Sequence, residues 1–177
     1  GEEIEALAGI MGGLDSEITD STETILIESA TFDKDYIRKT SKRLGLRTEA
    51  SQRYEKGISP EITLAAANRV CQLIEETASG VVVKGVYDCY HKKQEKSTIE
   101  MDYNRINNLL GTEISKEQII RYLELLEFSV EEKGDELFIE VPSFRLDITI
   151  PEDITEEIGR LYGYHNITPQ PLAGALT

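Results

Sequence analysis

No apolar run in this sequence approaches the roughly 20 residues that a membrane-spanning helix requires, which argues against a helical membrane protein. Cysteine is scarce. The two present, Cys71 in an expected helix and Cys89 in an expected linker, have neither metal-ligand spacing nor the density of a disulfide framework, a usage that suits a reducing cytoplasm. Histidine is as scarce: His91 and His165 lie far apart with no nucleophile paired to either, so Ser-His-Asp and Cys-His chemistry find no support. The chain opens Gly1-Glu2-Glu3, without an initiator methionine or a basic-then-apolar leader, and reads as an excised segment with an arbitrary start. Internal repeats and low-complexity tracts are absent from the sequence.

What is present is an ordinary globular composition with an unusual charge layout. Of 177 residues, 40% are hydrophobic and 29% charged, enough for one domain or two small ones and too apolar for a disordered tail. The formal charge of −14 disfavours nucleic acid as a partner of the whole surface, yet it is not spread evenly. Residues 34–56 hold eight Lys or Arg against three acids, while residues 95–177 hold 17 acids against 7 bases, a net of −10. The two halves are built for different partners.

Strands are expected at 6–11 and 24–27, separated by the turn-rich stretch GGLDSEITDST. Asp33 is placed to cap a helix whose face carries Tyr36, Ile37, Thr40 and Leu44, with Gly45 as its left-handed stop. Ser59 and Pro60 open a second helix, with Ile62, Ala66, Val70, Leu73 and Ile74 at helical spacing, expected to be a core helix ending by Gly80. Residues 81–86 read as a strand, and YHKKQEKS as a linker. Beyond it the pattern gives a strand at 98–101, a helix at 103–110 ended by Gly111, and a helix from Ser115 with Gln118 completing a capping box. A hairpin around Lys133-Gly134-Asp135 follows, then an extended stretch at 142–147 and a last helix from Pro151 to about Tyr162. Helix, turn, helix, hairpin is the order of a winged helix. The fold class expected is α+β, in two small mixed domains.

Three constellations could carry chemistry. Asp147, Asp153, Glu156 and Glu157 surround the start of the last helix; hard oxygen ligands suit magnesium, while acids at a helix N-terminus also simply complement its dipole. Glu156 and Glu157 point about 100° apart on a helix, so they are poorly placed to chelate one ion as a pair. The loop Gly9-Ile10-Met11-Gly12-Gly13, with Glu28, Thr48 and Ala50, could meet a small ligand, but it lacks the Lys-Ser/Thr of a P-loop. The basic run from Lys34 to Lys56, with Arg38, Lys39, Lys42, Arg43 and Arg47, is dense enough to contact phosphates, although a solvated helix face explains it equally well.

Two long motifs change the weight of these readings. The stretch AGIMGGLDSEITDSTETILIESATFDKDYIRKTSKRLGLRTEASQRYEKGISP, residues 8–60, resembles the C-terminal part of the B3/B4 editing domain of bacterial phenylalanyl-tRNA synthetase β subunits. PSFRLDITIPEDITEEIGRLYGYHNI resembles the end of the B5 domain that follows it. The resemblance implies a partial B3/B4-type α/β sandwich over residues 1–90, a linker at 91–97, a winged-helix-like B5 module over 98–168, and the start of another linker at 169–177. It implies an editing pocket with Gly12, Glu28, Thr48 and Ala50, in which a buried Glu28 carboxylate recognises the hydroxyl of mischarged tyrosine. It also implies Mg2+ on Asp147, Asp153, Glu156 and Glu157, shared with the α subunit of an (αβ)2 tetramer in the cytoplasm. ATP would be bound by the α subunit, and the tRNA for phenylalanine would be the nucleic-acid partner, with no membrane and no DNA. The resemblance makes the chain part of a ligase whose synthetic site lies elsewhere, so the segment alone is expected to be inactive. A free-standing winged-helix DNA binder and a pure scaffold are the competing readings, the first disfavoured by the net −10 of residues 95–177.

Overall fold

The computed structural model describes residues 4–91 and 93–169. The chain divides into two compact units, Gly1–Gln94 and Glu95–Thr177. Residues 1–3 and 170–177, which include the expected start of the chain and nearly all of the expected C-terminal linker, lie outside the described residues. Helices and strands mix in both units, and the fold is α+β.

In the second unit, period-two patterning produces the sheet. Strand β3 (Ser97–Asp102) turns Ile99 and Met101 inward; the hairpin strands β4 (Ser129–Lys133) and β5 (Glu136–Val141) follow, with Leu137, Ile139 and Val141 inward on β5. The order is β3-β5-β4, all antiparallel, with Ile99 opposite Ile139 and Met101 opposite Leu137, so the buried rows of the two strands meet side by side. Gly134, at φ 66°, supplies the left-handed residue of the hairpin turn.

Three helices cover that apolar face. Helix α1 (Tyr103–Leu110) is capped by Asp102, which accepts from the Asn104 amide at 2.8 Å, and stops at Gly111 in the left-handed region. Helix α2 (Lys116–Leu125) is capped by Ser115, and helix α3 (Pro151–Tyr162) begins on proline. The expected capping box at Ser115 is only half made: Ser115 accepts from the Gln118 amide, but the Gln118 side chain donates to the Tyr122 hydroxyl at 2.6 Å. Asn107 stitches the turn between α1 and α2, accepting from the Ile114 amide at 2.8 Å and donating to the Ile114 carbonyl at 2.9 Å. Ile106, Ile119, Leu123, Ile154 and Ile158 close the core against Leu137 and Ile139. Gly159 lets α3 come close to α1, because a Cβ there would lie 2.9 Å from the Leu110 Cδ2. Residues 142–147 are turns rather than extended chain, with the Arg145 amide donating to the Pro142 carbonyl.

The first unit is built differently. Its sheet is a two-residue-per-strand hairpin of β1 (Ala6–Leu7) and β2 (Met11–Gly12). Helix α4 (Lys34–Leu44) is capped by Asp33, which accepts from the Asp35 and Tyr36 amides, and it ends at Gly45 with φ 67°. A short helix α5 (Glu49–Tyr54), absent from the sequence-based expectation, follows a capping box in which Thr48 and Ser51 bond each other's amides reciprocally. Helix α6 (Thr63–Ala78) runs after a 3-10 turn at Pro60–Ile62.

Two expectations fail in this unit for one reason. Residues 24–27 and 81–86 form no strand, and α6 is not a core helix: none of its residues is buried. A strand needs a neighbour to take its amides and carbonyls, and an apolar stripe needs a surface to cover it. Among the described residues of this unit only Ile10 and Ile37 are buried hydrophobics, against thirteen in the other. The stretch expected to be a linker is partly tied down: the Tyr90 hydroxyl donates to Glu61 and accepts from the Gln94 amide, both at 2.7 Å, and the Ser59 hydroxyl donates to the Gln94 side chain.

Leu123→Ala, which would empty a fully buried position, should destabilise the second unit by about 2 to 5 kcal/mol, whereas Leu73→Ala on α6 should cost well under half of that. Urea denaturation of both variants, followed by helical circular dichroism, checks the contrast.

Candidate functional site

Gly9 is the residue on which the loop between β1 and β2 turns. It has φ 68°, and a Cβ there would lie 2.7 Å from the Phe32 ring and 2.8 Å from Ile37, so both the backbone and the close approach require glycine. Ile10 is thereby buried, and its carbonyl accepts the Thr48 hydroxyl at 2.5 Å, which fastens the start of α5 to this loop. Gly12, two residues on, is exposed, lies outside the left-handed region, and has nothing within 4 Å of where a Cβ would stand. Among the described residues no packing explains a glycine there. Ala50 is exposed on α5.

Glu28 departs from expectation. It lies in irregular backbone and is exposed rather than buried, although its neighbour Ser29 is anchored by a hydroxyl donated to the Thr63 carbonyl at 2.8 Å. The structure therefore connects Thr48 with the loop that carries Gly12, and does not enclose Glu28 with them.

The basic run is arranged around a hollow. A cavity of about 640 Å³ is lined by Arg38, Ser41, Lys42, Gly45, Arg47, Glu55 and Lys56. Arg38, Lys39, Lys42, Arg43 and Arg47 are all exposed. Arg47 lies 3.8 Å from Glu55, and among the described residues no acid pairs with the other four. Lys56, on the cavity wall, adds a cation that the sequence-based list of tRNA contacts omitted. None of the editing-pocket candidates lines this cavity.

The acidic constellation has a definite geometry. Arg145 donates to both oxygens of Asp147, from Nε to Oδ1 at 2.9 Å and from Nη2 to Oδ2 at 2.7 Å, and its Nη2 also reaches Glu157 Oε1 at 2.7 Å. Glu157 Oε2 accepts from Arg160. Asp153 Oδ2 accepts from the Thr149 and Ile150 amides at 2.7 and 3.0 Å, reaching back from the first turn of α3 to donors just ahead of it, as the N3 residue of a capping box does. Glu156 is exposed. Among the described residues no three acids, histidines or cysteines come together in a way that could hold a metal ion. As arranged here, the four acids do not fit a divalent ion held by this chain alone.

Sequence reasoning named these acids and missed Arg145. The signal was available, since an arginine two residues before Asp147 is the natural counter-ion of an acid-rich helix start.

These partners move the carboxyl groups in one direction. The Arg145 guanidinium holds Asp147 below the usual aspartate value, and the Thr149 and Ile150 amides do the same for Asp153. Burial works to raise the Glu157 carboxyl, but Arg160 and Arg145 together outweigh it and hold it low.

A B3/4 domain matches residues 1–79, and a tRNA synthetase B5 domain matches residues 99–164. The phenylalanine–tRNA ligase β subunit of Clostridium acetobutylicum is 52% identical over 162 residues, 92% of this chain and 20% of that protein. That of Clostridium tetani is 47% identical over 167 residues, 94% of this chain and 21% of that protein. A solved N-terminal fragment of the phenylalanyl-tRNA synthetase β subunit from Pyrococcus horikoshii is 28% identical, covers 42% of this chain and 21% of that one, and has a TM-score of 0.38. A B3/4 domain followed by a B5 domain defines a segment of an aminoacyl-tRNA synthetase. Along nearly its whole length the chain is similar to phenylalanine–tRNA ligase β subunits, and it spans about a fifth of the length of the curated relatives it matches.

A group whose carboxyl is held low in the folded state stabilises that state above its ordinary pKa and loses the effect as pH falls through the lowered value. Stability of the second unit should therefore be flat from pH 7 to about 5 and decline below about 4. Asp153→Asn and Glu157→Gln should each reduce the decline. Urea midpoints measured across that range test this, and an unchanged slope in both variants would refute it.

Proposed function

We propose that this chain is the part of a phenylalanine–tRNA ligase β subunit that carries one wall of a site for editing tyrosyl-tRNA, together with a B5 module that contacts the α subunit. The observation that carries the reading is Gly12: an exposed glycine that no backbone or packing demand among the described residues explains, on the hairpin whose Ile10 carbonyl accepts the Thr48 hydroxyl. A small residue with open space beside it leaves room for a ligand. Glu28 then needs a covering surface from outside the chain before its carboxylate can discriminate a phenol from a bare ring, because the penalty for an unpaired group arises only when water is excluded.

The rest of the enzyme supplies what the segment lacks. ATP is bound by the α subunit, synthesis occurs there, and the assembly is an (αβ)2 tetramer working in the cytoplasm on the tRNA for phenylalanine. Arg38, Lys39, Lys42, Arg43 and Arg47 meet tRNA phosphates, supported by the lack of acidic partners for four of them among the described residues. The acid group of the B5 module takes part in Mg2+ binding at the subunit boundary only if outside ligands complete the shell and the Arg145 contacts give way. The 177-residue chain alone is inactive.

In the whole αβ enzyme, Glu28→Ala should lower tyrosyl-tRNA deacylation by at least about tenfold and leave phenylalanylation unchanged. Deacylation at the wild-type rate would sink the pocket assignment, whereas robust deacylation by the segment alone, abolished by Glu28→Ala, would show that the segment is not inactive. Lys42→Ala with Arg43→Ala should weaken tRNA binding and reduce its salt slope by roughly 0.7 to 0.9 per lost contact. An unaltered slope would remove these residues from the interface.

A further inference from the structure

The hollow in the first unit is built from two segments held at a fixed spacing. Arg38, Ser41, Lys42 and Gly45 recur at i, i+3, i+4 and i+7, so they share one face of α4 and form one side of it. Arg47, Glu55 and Lys56, which bracket α5, form the other. Between the two sides the buried Ser41 hydroxyl donates to the Leu46 carbonyl at 2.5 Å and lies 3.4 Å from the Ser51 hydroxyl. Ser51 is held in turn by its reciprocal bonds with Thr48. Hydrogen bonds thus set the shape of the hollow, while its charged side chains are free to meet a ligand.

Charge and lining together limit what it can take. The seven lining residues include four cations, one acid and no apolar side chain. Among the described residues Arg38, Lys42 and Lys56 have no acidic partner, and Arg47 is only loosely engaged by Glu55 at 3.8 Å. Lys42 and Arg43 lie in the last turn of α4, where a cation complements the helix dipole, but Arg38 and Lys56 lie outside that turn and gain nothing from it. Like charges around one hollow repel each other, a cost that an anion removes. The volume of about 640 Å³ falls within the roughly 300–1,000 Å³ of small-ligand sites, room for a phosphate with the sugars on either side of it. A base finds no aromatic or aliphatic surface there, so recognition falls on the charged backbone and not on sequence.

We propose that this hollow is a phosphate seat, in which Arg38, Lys42 and Lys56 converge on the backbone of an RNA strand and Glu55 moderates the affinity through Arg47. Lys39 and Arg43 do not line it and meet phosphates singly, whereas the cations of the hollow act together on one group. Lys56 joins the contact although it stands nine residues beyond Arg47 in the chain. This inference deepens the tRNA part of the reading above and rests on it for RNA as the source of the phosphate.

The 177-residue chain, labelled with 15N, is titrated with inorganic phosphate at constant ionic strength, and the amide of Gly45, a lining residue, reports occupancy by its NMR shift. The shift should saturate. Arg38→Ala and Lys56→Ala should each weaken binding by about fivefold, and Glu55→Gln should tighten it by about threefold. Arg38 and Lys56 are exposed, so these variants remove charge without removing core. Arg53→Ala and Glu49→Gln alter a charge pair of α5 outside the hollow and should leave the titration unchanged. A short RNA hairpin should shift the same amide and be displaced by inorganic phosphate.

The absence of a saturable Gly45 shift, or equal losses from Lys56→Ala and Arg53→Ala, would overturn the seat. Phosphate binding that the hairpin leaves untouched would overturn RNA as the occupant, as would a polyglutamate peptide that shifts Gly45 at lower concentration than the hairpin. The tRNA contact is read separately, from the salt slope of the whole enzyme. An unaltered slope there beside an intact phosphate titration refutes the tRNA reading, while the reverse refutes only the seat.

Discussion

The inward row of β5, Leu137, Ile139 and Val141, is the surface on which the second unit is assembled. It lies between β3 and β4, and the two antiparallel ladders fix its register, so a slip of one residue would turn the whole row to solvent. Helices α1, α2 and α3 gain stability because that row gives their apolar stripes something to cover, and burial of this kind is the main force that offsets chain entropy. Position follows from this. The acids at the start of α3 and the turn that holds Arg145 stand where they do because Ile148, Ile154 and Ile158 are packed into the core on either side.

The first unit shows the same physics with the opposite outcome. Its hydrogen bonds are well made locally: Asp33 caps one helix, and Thr48 with Ser51 caps another. Local satisfaction fixes helices but does not bury side chains, and Leu26 and Val81 remain 97% and 89% exposed. A unit held by caps and short side-chain bonds leaves many of its apolar side chains open to solvent. That is consistent with a family in which this segment is a fifth of the curated protein.

Legibility in the sequence divides along the same line. Asp33, Gly45, Ser115, Gly111 and Pro151 marked helix ends correctly because capping is decided within a few residues. The hairpin at Gly134 was legible for the same reason. The strands expected at 24–27 and 81–86 had the right composition but no partner, and pairing is a property of two segments that neither reveals alone. Glu28 was expected to be buried and is exposed in this chain, because burial depends on a covering surface that a local stretch does not reveal. The short helix after Thr48 could have been found from Thr48 and Ser51, had they been read as a capping pair and not only as candidate pocket residues. The acid group was visible as a list of carboxylates, and Arg145 stands two residues from Asp147 in the sequence. Its contact with Glu157 was not visible, because that depends on the turn at 142–147 that brings Arg145 round to α3.

The exposed run Val81-Val82-Val83 has a consequence for the behaviour of the chain in concentrated solution. These β-branched residues form no ladder, and Val81 and Val83 are 89% and 80% exposed. Unpaired amides and carbonyls flanked by valine side chains form a template on which a second copy can add as a strand, the route by which edge segments seed aggregates. Lys84 and Glu76 are the nearest charges in sequence on either side, too sparse to act as gatekeepers for the whole run. Precipitation of this chain on warming would therefore begin at an unmated segment of the first unit, while the core of the second was still folded.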